Sequence, residues 1–171
     1  MLDDLLTTVP QIGRVEWIGL APTDGAPIEV VAEVEAEVGT GLFGDHHCNR
    51  KPGGKRQVTL IQSEHLPVIR ALSERRDASP ELLRRNIVVS GINLISLKKM
   101  RFQIGKAILE GTGDCAPCSL MERNLGPGGY QAMRGHGGLT AKVLQRGTIR
   151  VGDTVVCLGT AACHESADGD V

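Results

Sequence analysis

Aromatic side chains are nearly missing from this chain: one tryptophan, one tyrosine and two phenylalanines in 171 residues. The core must therefore be built from Val, Ile and Leu. An excess of either charge is missing too. With 19 basic and 20 acidic residues the net charge is −1, which gives no global pull toward nucleic acid or a membrane surface. No apolar run approaches the length of a membrane span. Met1–Gln11 holds two acidic residues and no basic stretch, so it does not read as a signal peptide. The cysteines number five. An odd count in a chain of this length argues against a disulfide scaffold and for reduced thiols in a cytoplasmic protein.

Glycine is plentiful, with 22 residues. Many glycine turns between short apolar runs favour a β-rich domain over a helical bundle. Strands are expected at Ile12–Leu20, Ile28–Val38, Arg56–Ile61, Ile87–Val89, Met100–Ile104, Ala107–Glu110, Leu139–Leu144, Thr148–Val151 and Thr154–Leu158. Ile28–Val38 has the cleanest period of two, with glutamates on the opposite face. Helices are expected at Glu64–Leu72 behind Ser63, at Ser79–Arg85 with Pro80 at the first helical position, and over one or two turns of Ser119–Leu125. Regular strand–helix alternation is absent, so a closed or nearly closed barrel with two or three short helices is the expected architecture. One domain spanning 12–158 is expected, with 1–11 as an extension and 159–171 as a disordered tail.

The segment Gly111–Ser119 holds Cys115 and Cys118 in a C-x-x-C. Three chemistries fit it: thiol redox exchange, half of a zinc site, or a single nucleophilic or metal-ligating thiolate at Cys118. No second C-x-x-C exists, and Cys48, His46, His47 and His136 match no standard zinc spacing. Two small buried thiols are the alternative without chemistry. Asp45-His46-His47 can bind metal or move protons. Adjacent histidines in a strand face opposite ways, and His47 is the one favoured for a site. Arg84-Arg85-Asn86 can hold an anion by forked hydrogen bonds, although a cation ending a helix is also favoured by the dipole alone. In Met133–Gly138 the glycine amides, among them that of Gly135, can cradle an oxyanion beside Arg134. The motif lacks the lysine and hydroxyl of a P-loop.

Taken in order, several segments resemble the MOSC domain, the module named for the C-terminal part of molybdenum-cofactor sulfurases. They are Gly44-Asp45-His46-His47, the start of the Arg56-Gln57-Val58 strand, Arg84 to Gly91, Pro117-Cys118, and Met133-Arg134-Gly135 leading to Gly152-Asp153. The resemblance runs from Ile12 to Leu158, and small stand-alone bacterial members are the most similar. It implies a MOSC, pyruvate-kinase-barrel-like fold. It also implies a cleft that binds molybdenum cofactor (molybdopterin) or handles its sulfur. The family's cysteine falls on Cys118, as sulfur carrier or molybdenum ligand, with Cys115 as a helper that could resolve a persulfide. Its arginine and asparagine fall on Arg85 and Asn86. Asp45, His47, Arg134 and Gly135 complete the expected cofactor site.

The activities implied are sulfur transfer or molybdenum-dependent reduction of N-hydroxylated compounds. Pyridoxal phosphate is not expected, because in the sulfurases it belongs to a separate N-terminal domain. A cofactor-synthesis or electron-transfer protein is the expected partner, with the chain itself a monomer or weak homodimer. The competing readings are a small zinc or thiol-redox protein and a non-catalytic cofactor-delivery module.

Overall fold

In the computed structural model, residues 1–160 are described. Eleven strands and five short α-helices are present among them. The helix α1 (Leu2–Thr7) buries none of its residues. The strands β1 (Ile12–Leu20), β2 (Glu29–Val31), β3 (Glu33–Glu37) and β4 (Gly41–Leu42) follow. Then come β5 (Val58–Gln62), α2 (His65–Leu72), α3 (Pro80–Leu83), β6 (Ile87–Ser90), β7 (Met100–Ile104) and β8 (Ala107–Asp114). The chain continues through α4 (Ser119–Leu125), α5 (Gly129–Met133), β9 (Leu139–Gln145), β10 (Gly147–Arg150) and β11 (Thr154–Thr160). Short 3-10 turns occupy His46–Asn49 and Leu94–Leu97. Residues 161–171, the greater part of the expected tail, lie outside the described residues, while Gly159 and Thr160 extend the last strand.

Seven strands close into a barrel in the order β1-β11-β7-β8-β9-β5-β6, with β6 returning to β1. Only β5 and β6 run parallel; α2 and α3 make the crossover between them. The closing pair is antiparallel, with Ile12 opposite Val156 and Arg14 opposite Thr154. Closure leaves the barrel with no free edge, which removes the row of unpaired amides that an open sheet presents. A β-bulge between Val15 and Trp17 shifts the pairing of β1 with β6. It explains the imperfect alternation of this strand: Val15, Ile18 and Leu20 all reach the barrel interior, while Trp17 packs outside.

The two faces of β5 and β6 are both covered. Val58, Leu60, Ile87 and Val89 point into the barrel, where they meet Phe102, Ile104, Leu109, Val143 and Val155. Ile61 and Val88 point outward against Ile69, Leu83, Met121, Leu125 and Met133 of the helices. Strands buried on both sides read as unbroken apolar runs, as these do. Each fully buried Leu, Ile or Phe here contributes about 1.5–3 kcal/mol.

The expected long strand Ile28–Val38 is two strands that break at Ala32. β2 pairs with β1, whereas β3 joins β10 and β4 in a separate three-stranded sheet. Only Val34 and Ala36 are buried; Val30 and Val38 remain exposed. Period-two patterning marks the buried face of β3, but in β2 it is Val31, the break in the alternation, that packs against the barrel core, while Val30 is exposed. Where Ser79–Arg85 was expected helical, α3 stops at Leu83, because Arg84 adopts a left-handed φ of 52°. The helices α1 and α5 join the three expected ones.

Candidate functional site

A cleft of about 240 Å³ opens where the loop after β4, the end of α3 and the start of α4 meet. Cys118, His46, His47, Arg50, Arg56, Arg84 and Arg85 line it, with Asp24 as the one acid among the described lining residues. Four guanidinium groups against one carboxylate make the cleft basic in a molecule with net charge −1. Such a concave surface concentrates anions.

The Asp45 turn is built from beneath. Asp45 is 1% exposed and precedes the 3-10 turn His46–Asn49. Its Oδ1 accepts from the His47 amide at 3.0 Å and from His47 Nδ1 at 2.6 Å. Its Oδ2 accepts from the Ala21 amide and from Asn86 Nδ2, both at 2.9 Å. Burial works against ionisation of this carboxyl. The His47 ring and the Ala21 and His47 amides outweigh it and hold the group below the usual carboxylate range.

Asn86 is equally committed. Its Nδ2 also donates to the Gly19 carbonyl at 3.2 Å, and its Oδ1 accepts from the amide and hydroxyl of Thr59, each at 3.0 Å. This one amide ties the end of β1, β5, the start of β6 and the Asp45 turn together. Both Asp45 and Asn86 are therefore buried scaffolding whose bonds are used within the protein; neither lines the cleft.

His46 and His47 lie in a turn rather than a strand, so they do not face opposite ways. Their ring centroids are 4.1 Å apart and both line the cleft. His46 Nδ1 sits 3.2 Å from the Ala21 carbonyl. With each Nδ1 held by an acceptor, each Nε2 is left for a ligand or proton. Burial, then the charges of His47 and Arg50, push the His46 imidazole below its ordinary value against the pull of Asp45 and Ala21. Asp45, His46 and His47 together form a cluster able to hold a metal ion, with ligand atoms within 4.8 Å of one another.

Arg85 is 3% exposed. Its Nε donates to the Gly137 carbonyl and its Nη1 to Leu83, both at 2.8 Å, while Nη2 reaches the Cys115 carbonyl at 3.4 Å. No carboxylate pairs with it among the described residues. Burial pushes the guanidinium below its ordinary value; Arg56 adds to this, while the sulfurs of Cys115 and Cys118 oppose it. The side chain fastens the cysteine loop and the Gly137 bend to the barrel and holds a buried positive charge at the cleft wall.

Arg84 is differently placed. Its backbone is left-handed, its Nη1 donates to the Ala26 carbonyl at 2.8 Å, and its Nη2 is buried without a partner. A non-glycine residue at positive φ and an unbonded guanidinium nitrogen both cost free energy, and such costs cluster at binding sites.

Cys118 is exposed, at the residue before α4, and its thiol is free. Cys115 is 1% exposed and lines a different cleft, together with Arg134, Gly135 and Tyr130. Of the residues singled out by sequence, Cys118, Arg85 and His47 thus come together in one cleft, with Asp45 and Asn86 supporting it. Arg134, Gly135 and Cys115 belong to the neighbouring one. Arg84, read from the sequence with Arg85 as a holder of anions, and His46, read with His47 as a metal or proton group, also line this cleft, whereas Arg50 and Arg56 have no site role in the sequence reading.

Residues 39–156 match the MOSC domain, and the chain belongs to that family. The fold is similar to the crystal structure of the YUAD protein from Bacillus subtilis. The TM-score is 0.73 at 21% identity, over 86% of this chain and 97% of that one. YiiM from Escherichia coli is similar with a TM-score of 0.61 at 18% identity, over 92% of this chain and 72% of that one. YiiM from Geobacillus stearothermophilus gives 0.63 at 18% identity, over 85% and 75%. No curated protein matches the chain. No helix among the described residues is long and apolar enough to cross a membrane.

Proposed function

We propose that the Cys118 cleft binds molybdenum cofactor, with the Cys118 thiolate as molybdenum ligand or sulfur carrier. The observation that carries this reading is the shared lining: an exposed thiol, four arginines and two histidines converge on one small cleft. The donor set fits a phosphate-bearing, anionic group. Arg84 offers an unpartnered buried nitrogen, and Arg50 and Arg56 are exposed around it. When bound, the cofactor supplies a redox-active metal on a pterin phosphate. The protein supplies the thiolate at Cys118, guanidinium contacts to the phosphate, and the His47 ring, whose Nε2 is free to accept from or bind a ligand while Asp45 fixes Nδ1. Reduction of N-hydroxylated compounds and sulfur transfer are the two activities the family resemblance suggests. Electrons or sulfur then come from a partner protein in the same reducing compartment.

Reconstitution of purified protein with the cofactor tests this. Metal and pterin should bind in near one-to-one ratio, and Cys118→Ala should bind clearly less. Equal binding by the two proteins removes the ligand role.

A second reading takes the paired histidines as a site for a divalent cation such as zinc. The anchoring of each Nδ1 to an oxygen favours it, since metal-bound imidazoles are oriented in this way. The four surrounding arginines oppose it, because they repel a cation. Asp45 also has both oxygens occupied by donors. Metal analysis of untreated protein separates the two: stoichiometric zinc without pterin supports the second. A delivery module without turnover is separated from an enzyme by assay of the loaded protein with a hydroxylamine acceptor.

A further inference from the structure

The loop that presents Cys118 has a second cleft on its other side. A cavity of about 300 Å³ is lined by Cys115, Pro117, Tyr130, Arg134, Gly135 and Gly137. It adjoins another of about 240 Å³, lined in part by Gln62 and His65. The two share Ile95, Gly135 and Gly138, so they form one continuous groove. Its extent falls in the range of small-molecule sites, about 300–1,000 Å³. The proposed cofactor cleft uses none of these residues.

The groove has two kinds of wall. One is apolar: Ile95 is 54% exposed, Tyr130 is 39% exposed, and Pro117 lies beside them. For a chain with four aromatic residues in all, a half-exposed tyrosine beside an exposed isoleucine is a notable apolar surface. The other wall is a set of unused donors. Arg134 is exposed and spends only Nη1, on the Gln131 side chain at 3.1 Å. The amides of Gly135 and Gly137 donate to no acceptor among the described residues. Gly137 is buried, where an unpaired N–H is costly. The one acid among the described residues of the groove, Asp114, is held by Lys98 at 3.1 Å.

The backbone here is fixed by glycine geometry. Gly135 has φ of 78°, and a Cβ added to it would meet nothing within 4 Å, so the space above it is open. A Cβ on Gly137 would strike the Cys115 carbonyl. That close approach, together with Arg85 bonding the Gly137 and Cys115 carbonyls, locks the bend against the cysteine loop. The bend thus carries two amides without a protein acceptor next to Arg134, whose Nε and Nη2 are unspent, the kind of donor set that can cradle an oxyanion.

We propose that this groove is a second ligand site, which binds a small organic anion: a carboxylate or phosphate on a ring-sized apolar body. The anionic group sits on Arg134 and the Gly135 and Gly137 amides, and the apolar body lies against Tyr130, Ile95 and Pro117. The site is independent of the cofactor cleft, since the wall formed by Arg85 and the loop from Cys115 to Cys118 separates the two.

Nitrogen-15-labelled full chain titrated with benzoate, phenyl phosphate and inorganic phosphate tests this by NMR. Phenyl phosphate or benzoate should shift the Gly135 and Gly137 amide resonances saturably, at about tenfold lower concentration than inorganic phosphate. Arg134→Gln, a change at an exposed side chain, should weaken that binding about tenfold, the worth of one charge-assisted contact. The same binding should persist in Cys118→Ala, whether or not that variant takes up cofactor. Three results overturn the proposal: no shift at these amides, equal affinity in Arg134→Gln, or loss of the shifts in Cys118→Ala. Inorganic phosphate binding as tightly as phenyl phosphate overturns the role of the apolar wall.

Discussion

His47 Nδ1 donates to Asp45 Oδ1 at 2.6 Å, and the same oxygen accepts the His47 amide at 3.0 Å. One carboxylate oxygen thus fixes both the backbone and the ring of a residue that faces the cleft. Its other oxygen is fixed in turn by Ala21 and Asn86. Asp45→Asn replaces half of this acceptor capacity with donors that face donors. It should destabilise the protein by about 1–3 kcal/mol at neutral pH, as read from urea unfolding.

The pH dependence of the same pair has a definite sign. The folded-state carboxyl of Asp45 lies below its ordinary value. Its contribution is therefore full above the unfolded value, about 3.9, and is lost as pH falls through the lower folded value. The stability of the wild type should fall in that acid window more steeply than that of Asp45→Asn. Unfolding monitored at a series of pH values from neutral down to strongly acidic measures the difference; parallel curves would remove Asp45 from the account.

Much of this was legible from the chain, for identifiable reasons. β1 runs over the expected Ile12–Leu20, and the closed barrel follows from many short apolar runs with glycine turns. Each apolar run carries its own period, and closure leaves no edge to encode separately. The break of Ile28–Val38 at Ala32 was not legible, because the apolar residues continue one period across it in the sequence, although β2 turns Val31 and β3 turns Val34 and Ala36 inward and the two join different sheets. In the site, Cys118, Arg85 and His47 could be named one by one. Their division from Arg134 and Cys115 could not, because the loop from Cys115 to Cys118 places two thiols three residues apart in separate clefts. His46 was set aside by strand periodicity, and the 3-10 turn voids that period.

His46 offers a direct electrostatic check. Burial, His47 and Arg50 hold its imidazole below the ordinary value, so it should be neutral at pH 7. Its ring signals in an NMR titration should have a midpoint below the usual value of about 6.5. Arg50→Gln should move that midpoint upward by removing a nearby positive charge. An unchanged midpoint would mean that Arg50 is screened by solvent.

The neighbours Arg84 and Arg85 should respond in opposite ways. Arg85→Ala strips three backbone carbonyls of their buried donor. It should cost about 1–3 kcal/mol of stability, the range for leaving buried acceptors without their donor. Arg84→Gly relieves a left-handed backbone worth roughly 1 kcal/mol and loses one part-buried hydrogen bond, to the Ala26 carbonyl, of similar size. Its melting temperature should stay close to that of the wild type, while its affinity for cofactor falls about tenfold. Calorimetry with a binding titration on both variants distinguishes scaffold from ligand contact.

The central claim is that Cys118, Arg84 and the paired histidines form one cofactor site while Arg134 lies outside it. The most direct measurement is molybdenum and pterin content after reconstitution of wild type, Cys118→Ala, Arg84→Gly and Arg134→Gln, side by side. The account predicts near one-to-one loading in wild type and Arg134→Gln, with clear losses in the other two. Full loading of Cys118→Ala, or a loss in Arg134→Gln equal to that in Arg84→Gly, would contradict it.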